Sequence, residues 1–304
     1  MIYTVTLNPA VDVSLHVSGE LLPGNINRSY AERTDPGGKG INVSKTLKEI
    51  GQDSVICVGV CGEDGDRLLG MLSEIGTEVL SVRYPSGNTR TNIKIADDNG
   101  VTTDINGVGP CYDSVTIARL IELIRSRLRS GDTVVISGRP PMESPADIYA
   151  DLIRSFKEVE GVKVILDASD VFLEEGLKEM PYAVKPTCEE LGIENDVECA
   201  KTAAGNKVIG GIEKCLISMG SMGAVFASRD LEATYAEAFD VTVNCTTGCG
   251  DAMTAGLAYA SEKNLSSEET FRLCMALGGA EAETEGTKPP MRKRVMELLG
   301  NPPF

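Results

Sequence analysis

The sequence predicts an α/β fold, with a mostly parallel central sheet that carries helices on both faces and a small antiparallel β flap. From residue 113 onward, amphipathic helical segments alternate with short apolar β-like runs, which is the order of elements in parallel α/β sheets. Residues 88–105 instead contain short β-like pieces around the turn Asp97-Asp98-Asn99-Gly100, which suits a hairpin. We therefore expect a single domain over residues 1–304, with a flap formed by roughly residues 12–35 and 88–105.

The individual strands and helices are predicted from β-like apolar runs and from apolar residues at helical spacing. The first strand extends from Ile2 to Leu7 and ends at Asn8-Pro9, because proline cannot donate to a buried strand ladder. Further buried strands are predicted at residues 55–59, 133–136, 162–166, 182–184 and 214–218. Apolar residues at helical spacing predict helices at residues 45–50, 117–128, 148–156 and 252–260.

Composition and charge exclude several classes of function. The chain has 45 acidic and 29 basic residues, a net charge of −16, so neither nucleic acid nor an anionic membrane is an expected partner. Against this background, a local group of cations points to an anionic ligand. The single histidine, His16, excludes a multi-histidine metal site and a Ser/His/Asp triad of the usual kind. The nine cysteines form no CxxC pair and no segment resembles a signal peptide or membrane span, so we expect a cytoplasmic protein.

A glycine-rich turn with one carboxylate precedes the predicted helix at residues 252–260. Here Gly248, Cys249 and Gly250 leave the backbone open to an anion at the start of the helix. Asp251, beside that anion site, can take a proton from a substrate hydroxyl as the hydroxyl attacks a nucleoside triphosphate. The motif by itself leaves one alternative open, a structural turn in which Asp251 caps the helix.

A second glycine turn covers residues 36–40 and also leads into a helical segment. Gly38 allows close approach of a ligand, while Lys39 brings a charge and Asn42 an amide. Since Lys39 is followed by Gly40 rather than Ser or Thr, this is not the phosphate loop of P-loop NTPases. A flexible turn with a solvated lysine is the alternative.

Three further features are weaker by themselves. Asp12 follows the first strand, where ligands of α/β sheets collect, and is either a polyol ligand or an exposed turn residue. The glycine turn at residues 219–223 suits a position under a nucleotide. Glycines at residues 59, 62 and 65 read GxxGxxG rather than GxGxxG, which leaves a dehydrogenase as a weak alternative.

Taken in order, these motifs resemble the ribokinase-like PfkB carbohydrate kinases over nearly the whole chain. The resemblance rests on the turns at residues 37–40, 59–65, 220–223 and 247–251, together with Asp12, Asn42 and Lys185-Pro186. Residues 6–12 and 89–95 are most similar to the branch that contains 1-phosphofructokinases and tagatose-6-phosphate kinases. The resemblance implies a ribokinase-like fold, ATP and Mg²⁺ as cofactors, and phosphoryl transfer to a sugar phosphate.

The resemblance also implies a role for each matching residue. Asp251 would be the catalytic base, and Gly248, Cys249 and Gly250 would form the anion hole for the transferred group. The residues that would contact the sugar are Asp12, Gly38, Lys39 and Asn42, and those that would contact its phosphate are Lys39, Arg90 and Arg28. The residues that would contact ATP are Lys185, Ser218, Gly220, Ser221 and Gly223. Glu190 would bind Mg²⁺ through water. The acidic net charge independently favours such a cationic cluster, although Arg28 also fits a plain surface arginine.

Three residues depart from the family pattern. Arg139 stands where the branch usually has a small residue, and it would either add a phosphate contact or alter the choice of sugar. Thr187 replaces a frequent asparagine. Cys249 stands where the family frequently has alanine. Because a helix N-terminus lowers the pKa of a thiol, one hypothesis is that Cys249 is readily oxidised. The alternative is that Cys249 is only a small residue that fits the turn.

The function that these residues favour is that of a 1-phosphofructokinase. Tagatose-6-phosphate kinase is the nearest alternative, a ribose or nucleoside kinase is a more distant one, and a sugar-phosphate or nucleotide-binding regulator without catalysis is the alternative outside enzymes. The preferred sugar phosphate and the oligomeric state stay open at this point. An exposed flap edge is the expected contact surface if the protein forms a homodimer.

Overall fold

Nine strands form the central sheet of the computed structural model, which describes residues 1–300. Their order across the sheet is β13 (Leu231–Ala236), β12 (Ala224–Ser228), β11 (Lys214–Ser218), β10 (Ala183–Val184), β9 (Lys163–Asp167), β8 (Thr133–Ser137), β1 (Ile2–Thr6), β4 (Ser54–Val60) and β5 (Glu78–Arg83). Neighbouring strands from β5 to β11 are parallel, while β12 and β13 add an antiparallel edge. Strands β1, β4 and β8 are buried along their whole length, as strands covered on both faces must be.

A separate four-stranded sheet forms the flap. It consists of β2 (Ala10–Val17), β3 (Ser29–Gly37), β6 (Arg90–Asp97) and β7 (Thr102–Asn106), in the order β3-β2-β6-β7. The pairs β2–β3 and β6–β7 are antiparallel hairpins, as the sequence predicts, but the central pair β2–β6 is parallel. The reason is that β2 follows β1 and β6 follows β5, two parallel strands, so both flap strands leave the central sheet in the same direction.

Helices cover both faces of the central sheet. One face carries α1 (Lys39–Glu49), α2 (Gly62–Ile75), α7 (Cys249–Lys263), α8 (Ser267–Ala282) and α9 (Arg292–Leu299), and the other carries α3 (Ser114–Arg125), α4 (Ile148–Lys157), α5 (Asp170–Lys178) and α6 (Val197–Ile209). The period of two along a strand divides the core: Val134 and Ile136 pack toward the second set, and Val135 packs toward the first.

The architecture confirms the predicted fold class and brings the polar ends of several strands to one edge. Every strand and helix predicted from periodicity is present, with ends shifted by a few residues. Helix α7 is buried from residue 251 to residue 261, because its small and apolar residues pack between the sheet and the neighbouring helices. Among residues 1–300, no helix combines the length and the apolar character that a membrane crossing requires.

Candidate active site

Two helices begin near each other without a side-chain cap. Helix α1 follows Gly38 and α7 follows Gly248, and these glycines have φ values of 128° and 96°. A Cβ at Gly38 would lie 2.8 Å from Thr6 Cγ2, and one at Gly248 would collide with the Glu281 carboxylate, so both positions require glycine. Because no side chain occupies the N–H groups of the first turns, both helix starts can receive an anion.

Asp251 is the third residue of α7 and is 6% exposed. It makes no capping hydrogen bond, so the helix-cap alternative is wrong. The side-chain amide of Asn42 in α1 donates to Asp251 Oδ2 over 2.8 Å. Burial and the Asp167 carboxylate raise the pKa of Asp251 to about 6, against the opposing effects of Lys39 and Asn42. Such a carboxylate is ionised at neutral pH and is still basic enough to accept a proton in a reaction.

Asp167, the last residue of β9, connects the charged groups of the site. Its fully buried carboxylate is 3.2 Å from Lys39 Nζ and 3.4 Å from Lys185 Nζ, both measured to Oδ1. Thr254 and Ser137 donate to Oδ2 over 3.1 and 3.3 Å. Burial raises the pKa of Asp167, but the two lysines and the hydrogen bonds outweigh burial and the net shift is downward. Asp167 is therefore ionised and holds both lysines at the edge of the sheet.

The two lysines flank the start of α7. Lys185 is 3% exposed, and a Cβ at Gly250 would lie 3.1 Å from its Nζ, which brings this ammonium close to the turn. The Lys39 side chain is 40% exposed, and the charge of Asp167 raises its pKa despite partial burial. Cations in these positions can stabilise the charge on a phosphoryl group that transfers at the helix start.

A cavity of about 120 Å³ lies between the flap and two segments of the main part of the molecule, at Thr247 and at residues 286–287. Asp12 lines the cavity and accepts a hydrogen bond from Asn92 Nδ2 over 2.8 Å. Burial raises the pKa of Asp12, although Asn92, Lys45 and Arg90 oppose that shift. The Arg90 guanidinium donates to the backbone oxygen of Asn8 over 3.3 Å. The lining of the cavity therefore offers hydrogen-bonding groups that suit a polyol, together with one cation, Lys94, and three carboxylates, Asp12, Asp35 and Asp104.

The flap contacts the main part of the molecule near the anion-binding turn. Lys94 Nζ donates to Thr247 Oγ1, directly before Gly248. Arg33 in β3 donates to the backbone oxygen of Glu285 over 3.0 Å, beyond the end of α8. These two contacts join the flap to the segment before α7 and to the segment after α8.

The predicted ATP residues lie at the ends of β10 and β11. The backbone N–H of Ser218 donates to Pro186 O over 3.0 Å, which joins the two strand ends next to Lys185. Gly220 and Ser221 lie on an exposed 3-10 turn, and Gly223 is buried at its end. The strand ends and the turn therefore form one continuous surface beside Lys185.

Thr187 holds the predicted Mg²⁺ residue in place. The backbone N–H of Thr187 donates to Glu190 Oε2 over 2.8 Å, and the N–H of Glu190 donates to Thr187 Oγ1 over 3.0 Å. The threonine that departs from the family pattern is thus part of a reciprocal pair of hydrogen bonds. One carboxylate oxygen of Glu190 remains for a water or a cation.

Two predicted site residues lie apart from the cluster. Arg28 is exposed immediately before β3 and forms no ion pair with any of residues 1–300. Arg139 has a 68% exposed side chain, and its guanidinium lies 3.5 Å from Asp170 rather than near the two lysines. Within one chain, the structure therefore does not bring either arginine to the Asp167 cluster.

The structure also corrects the hypothesis for Cys249. Burial, the Glu281 carboxyl and Cys245 raise the pKa of Cys249 to about 12, so the prediction that the helix start lowers this pKa is wrong. The effect of burial on the pKa exceeds the opposite effect of the helix start, because the thiol is removed from water and faces an acidic side chain. At neutral pH Cys249 is a thiol, and the alternative of a small residue that fits the turn accounts for it.

Three residues of the site were not identified from the sequence. Asp167 ends a predicted strand, and the rule that ligands collect at strand ends would have selected it. Lys94 shares one face of β6 with Arg90 and Asn92 because strand residues alternate. Lys45 is three residues after Asn42 and therefore on the same face of α1.

Comparisons with known proteins agree with this geometry. Residues 7–294 match the model of the pfkB family carbohydrate kinases. The chain is 35% identical to a 1-phosphofructokinase of Bacillus subtilis, over 94% of this chain and 93% of that protein. Among solved structures, phosphofructokinase-2 of Escherichia coli is similar with a TM-score of 0.92 and 24% identity, over 98% of each chain. A possible 1-phosphofructokinase of Thermotoga maritima gives a TM-score of 0.87 and 26% identity, over 99% of this chain and 98% of that one.

Proposed function

Because this chain belongs to the pfkB family of carbohydrate kinases, we propose that it is a 1-phosphofructokinase, which converts fructose 1-phosphate and ATP into fructose 1,6-bisphosphate and ADP. It is a phosphotransferase that acts on a sugar hydroxyl. The observation that carries the proposal is the position of Asp251, buried beside the uncapped start of α7 and held there by Asn42. An ionised base next to an anion-binding helix start is the arrangement that phosphoryl transfer to a hydroxyl requires.

In the proposed reaction, Asp251 takes the proton of the free terminal hydroxyl of the sugar. The hydroxyl oxygen then forms a bond to the γ-phosphorus of ATP, and the bond from that phosphorus to its bridging oxygen breaks, so ADP leaves with the electron pair. The N–H groups of Cys249 and Gly250 receive the charge of the transferring group, with Lys185 beside it. Positioning supplies much of the rate.

Mg²⁺ is the metal that the residues around the proposed ATP site fit. Residues 1–300 contain no group of three or more His, Cys, Asp or Glu side chains suited to a metal ion. Mg²⁺ usually keeps several waters and takes one or two carboxylates together with substrate phosphates, so the free oxygen of Glu190 is sufficient through water. When bound, Mg²⁺ neutralises phosphate charge.

The cations around the cavity support a phosphorylated substrate. In a chain with a net charge of −16, Arg90 and Lys94 lie on one face of β6, and Lys39 lies at the start of α1 nearby. We assign the phosphate already present on the sugar to Arg90 and Lys39, and the sugar hydroxyls to Asp12, Asn42 and the backbone at Gly38. Tagatose 6-phosphate is the alternative substrate; it differs from fructose 1-phosphate in the configuration of one hydroxyl and in carrying its phosphate at the other end of the sugar.

The proposal is tested by ADP release from Mg·ATP with fructose 1-phosphate, fructose 6-phosphate, tagatose 6-phosphate, fructose and ribose in parallel. We expect a clear preference for fructose 1-phosphate, because the cationic groups at the cavity favour a phosphorylated sugar. If only an unphosphorylated sugar were turned over, Asp251 could still be the base, but Arg90 and Lys39 would not bind a phosphate on the sugar. Binding of sugar phosphate and ATP without ADP release would instead indicate a regulator that retained the fold.

We further propose that two copies associate through the flap and that the protein acts in the cytoplasm. The flap exposes five large apolar side chains, between 50% and 82% exposed: Leu22, Ile26, Tyr30, Val101 and Ile105. All nine cysteines are free thiols, as in reducing compartments.

The flap association predicts a specific effect of two substitutions. Ile26→Asp combined with Ile105→Asp should convert a dimer into a monomer, because buried charges without partners oppose association. Light scattering after size-exclusion chromatography gives the mass directly. Ile209→Asp, at an 85% exposed position at the end of α6, is the matched control and should stay dimeric. A wild-type monomer, or a double variant that remains dimeric, would contradict the proposal.

A further inference from the structure

Lys45 lies one turn after Asn42 in α1 and makes two hydrogen bonds across the site. Its Nζ donates to Asn42 Oδ1 over 3.1 Å and to Thr287 Oγ1 over 3.3 Å. The amide of Asn42 in turn donates from Nδ2 to Asp251 Oδ2. A continuous chain of polar contacts therefore joins the segment after α8 to the proposed base, through Lys45 and Asn42.

The chemistry of the three groups permits only one orientation of the Asn42 amide. A lysine ammonium has three donors and no acceptor, and an ionised carboxylate has acceptors and no donor. If the amide turned over, its oxygen would face the carboxylate of Asp251 and its NH₂ group would face the ammonium of Lys45. Asp251 and Lys45 thus favour the same orientation, in which an amide N–H points at Asp251.

We propose that Lys45 is a positioning residue for phosphoryl transfer, which fixes the Asn42 amide so that it holds one oxygen of Asp251 and leaves the other oxygen to the substrate hydroxyl. The inference rests on the proposed role of Asp251 as base and deepens it. Asp251 by itself already favours the orientation with the amide NH₂ group toward it, and the ammonium of Lys45 favours the same orientation from the opposite side of the amide.

The surroundings of Lys45 support a role beyond packing. Its two hydrogen-bond acceptors are neutral, and burial lowers its pKa, which is a cost that an apolar side chain at this position would not carry. Carboxylates from four elements face it and oppose that shift: Asp35 of β3, Glu281 of α8, Asp12 of β2 and Asp251 of α7. Burial and Asp167 raise the pKa of Asp251, whereas Lys39, Asn42 and Lys185 lower it. Because the interaction between the charges of Lys45 and Asp251 is mutual, removal of Lys45 shifts the pKa of Asp251 upward.

The direct test compares Lys45→Met with Lys48→Met, the same substitution one turn later on an exposed part of α1. For Lys45→Met we expect kcat to fall about tenfold to hundredfold, since a small misplacement of a reacting group has an effect of this size. The acid limb of kcat/KM should move to higher pH, because a positive charge that interacts with Asp251 is lost. Lys48→Met should change neither quantity, and Lys45→Arg, which keeps the charge and the donors, should keep the wild-type acid limb.

A double-mutant cycle then tests whether Lys45 acts through Asn42. In an Asn42→Ala background, Lys45→Met should have little further effect on kcat, since there is no amide to orient. Equal effects in both backgrounds, or an unshifted acid limb in Lys45→Met, would overturn the inference. If Lys45→Met does not fold, Lys45→Gln takes its place, because a neutral amide accepts either orientation of Asn42 and should give the same shift. Absence of kinase activity in the wild type would refute the proposed function, whereas an active wild type with an additive cycle would refute only the role of Lys45.

Discussion

The Asp251→Asn variant should bind ATP and sugar phosphate but lose about 10²- to 10⁴-fold in kcat, the range expected when a general base is removed. Asparagine has nearly the same shape as aspartate and can still contact Asn42, but it cannot accept the proton of the attacking hydroxyl. The measurement is steady-state ADP release together with calorimetric binding of each substrate. Near-normal turnover would exclude Asp251 as the base.

The same residue predicts the pH dependence of the wild-type enzyme. The pKa of Asp251 is raised to about 6, so the base is ionised above this pH and becomes protonated below it. Activity in kcat/KM should therefore decline as the pH falls through about 6, and Asp251→Asn should lack this dependence. Asp53→Asn is a suitable control, because Asp53 has an 82% exposed side chain and lies before β4 at the opposite edge of the sheet.

The largest effect on stability is expected for Asp167→Asn. This change leaves the ammonium of Lys185, which is 3% exposed, without its buried carboxylate. Breaking a buried pair in this way destabilises a protein by about 3–5 kcal/mol. For a chain of this size that corresponds to a decrease in Tm of roughly 10 °C, measurable by calorimetry. Asp170→Asn, an exposed aspartate three residues further on, should leave Tm nearly unchanged.

The pH dependence of this stability difference follows from the direction of the pKa shift. The pKa of Asp167 in the folded protein is below its ordinary value of 3.8, so the carboxylate stabilises the folded state above that pH and the contribution is lost as the pH falls below it. The Tm difference should thus be constant above about pH 5. Because the charge of Asp167 raises the pKa of Asp251, the acid limb of activity should move to lower pH in Asp167→Asn. A Tm equal to that of Asp170→Asn would contradict the role of Asp167 as the connecting charge.

Local patterns in the sequence were sufficient to predict the fold class and the types of functional group in the site. Period-two and helical spacings set the strands and helices, because they depend only on residues a few positions apart. The turns at Gly38 and Gly248 could likewise be identified as anion-binding turns from a short stretch of sequence, because such a turn requires only a glycine and a helix that follows it. The prediction that failed, a lowered pKa of Cys249, depends on burial and on Glu281, which is distant in the sequence.

Only the tertiary structure decided how these elements combine. Lys39 and Asp167 are 128 positions apart, and Asn42 and Asp251 are 209 apart, so no spacing in the sequence indicates that they meet. They meet because parallel strands and the helices that follow them place successive polar residues at one edge of the sheet. Charge and burial at that edge then set the pKa of Asp251, since both depend on the three-dimensional distances to Asp167 and Lys39. The sequence determined which groups are present, and the packing of the sheet determined which of them can act on one another.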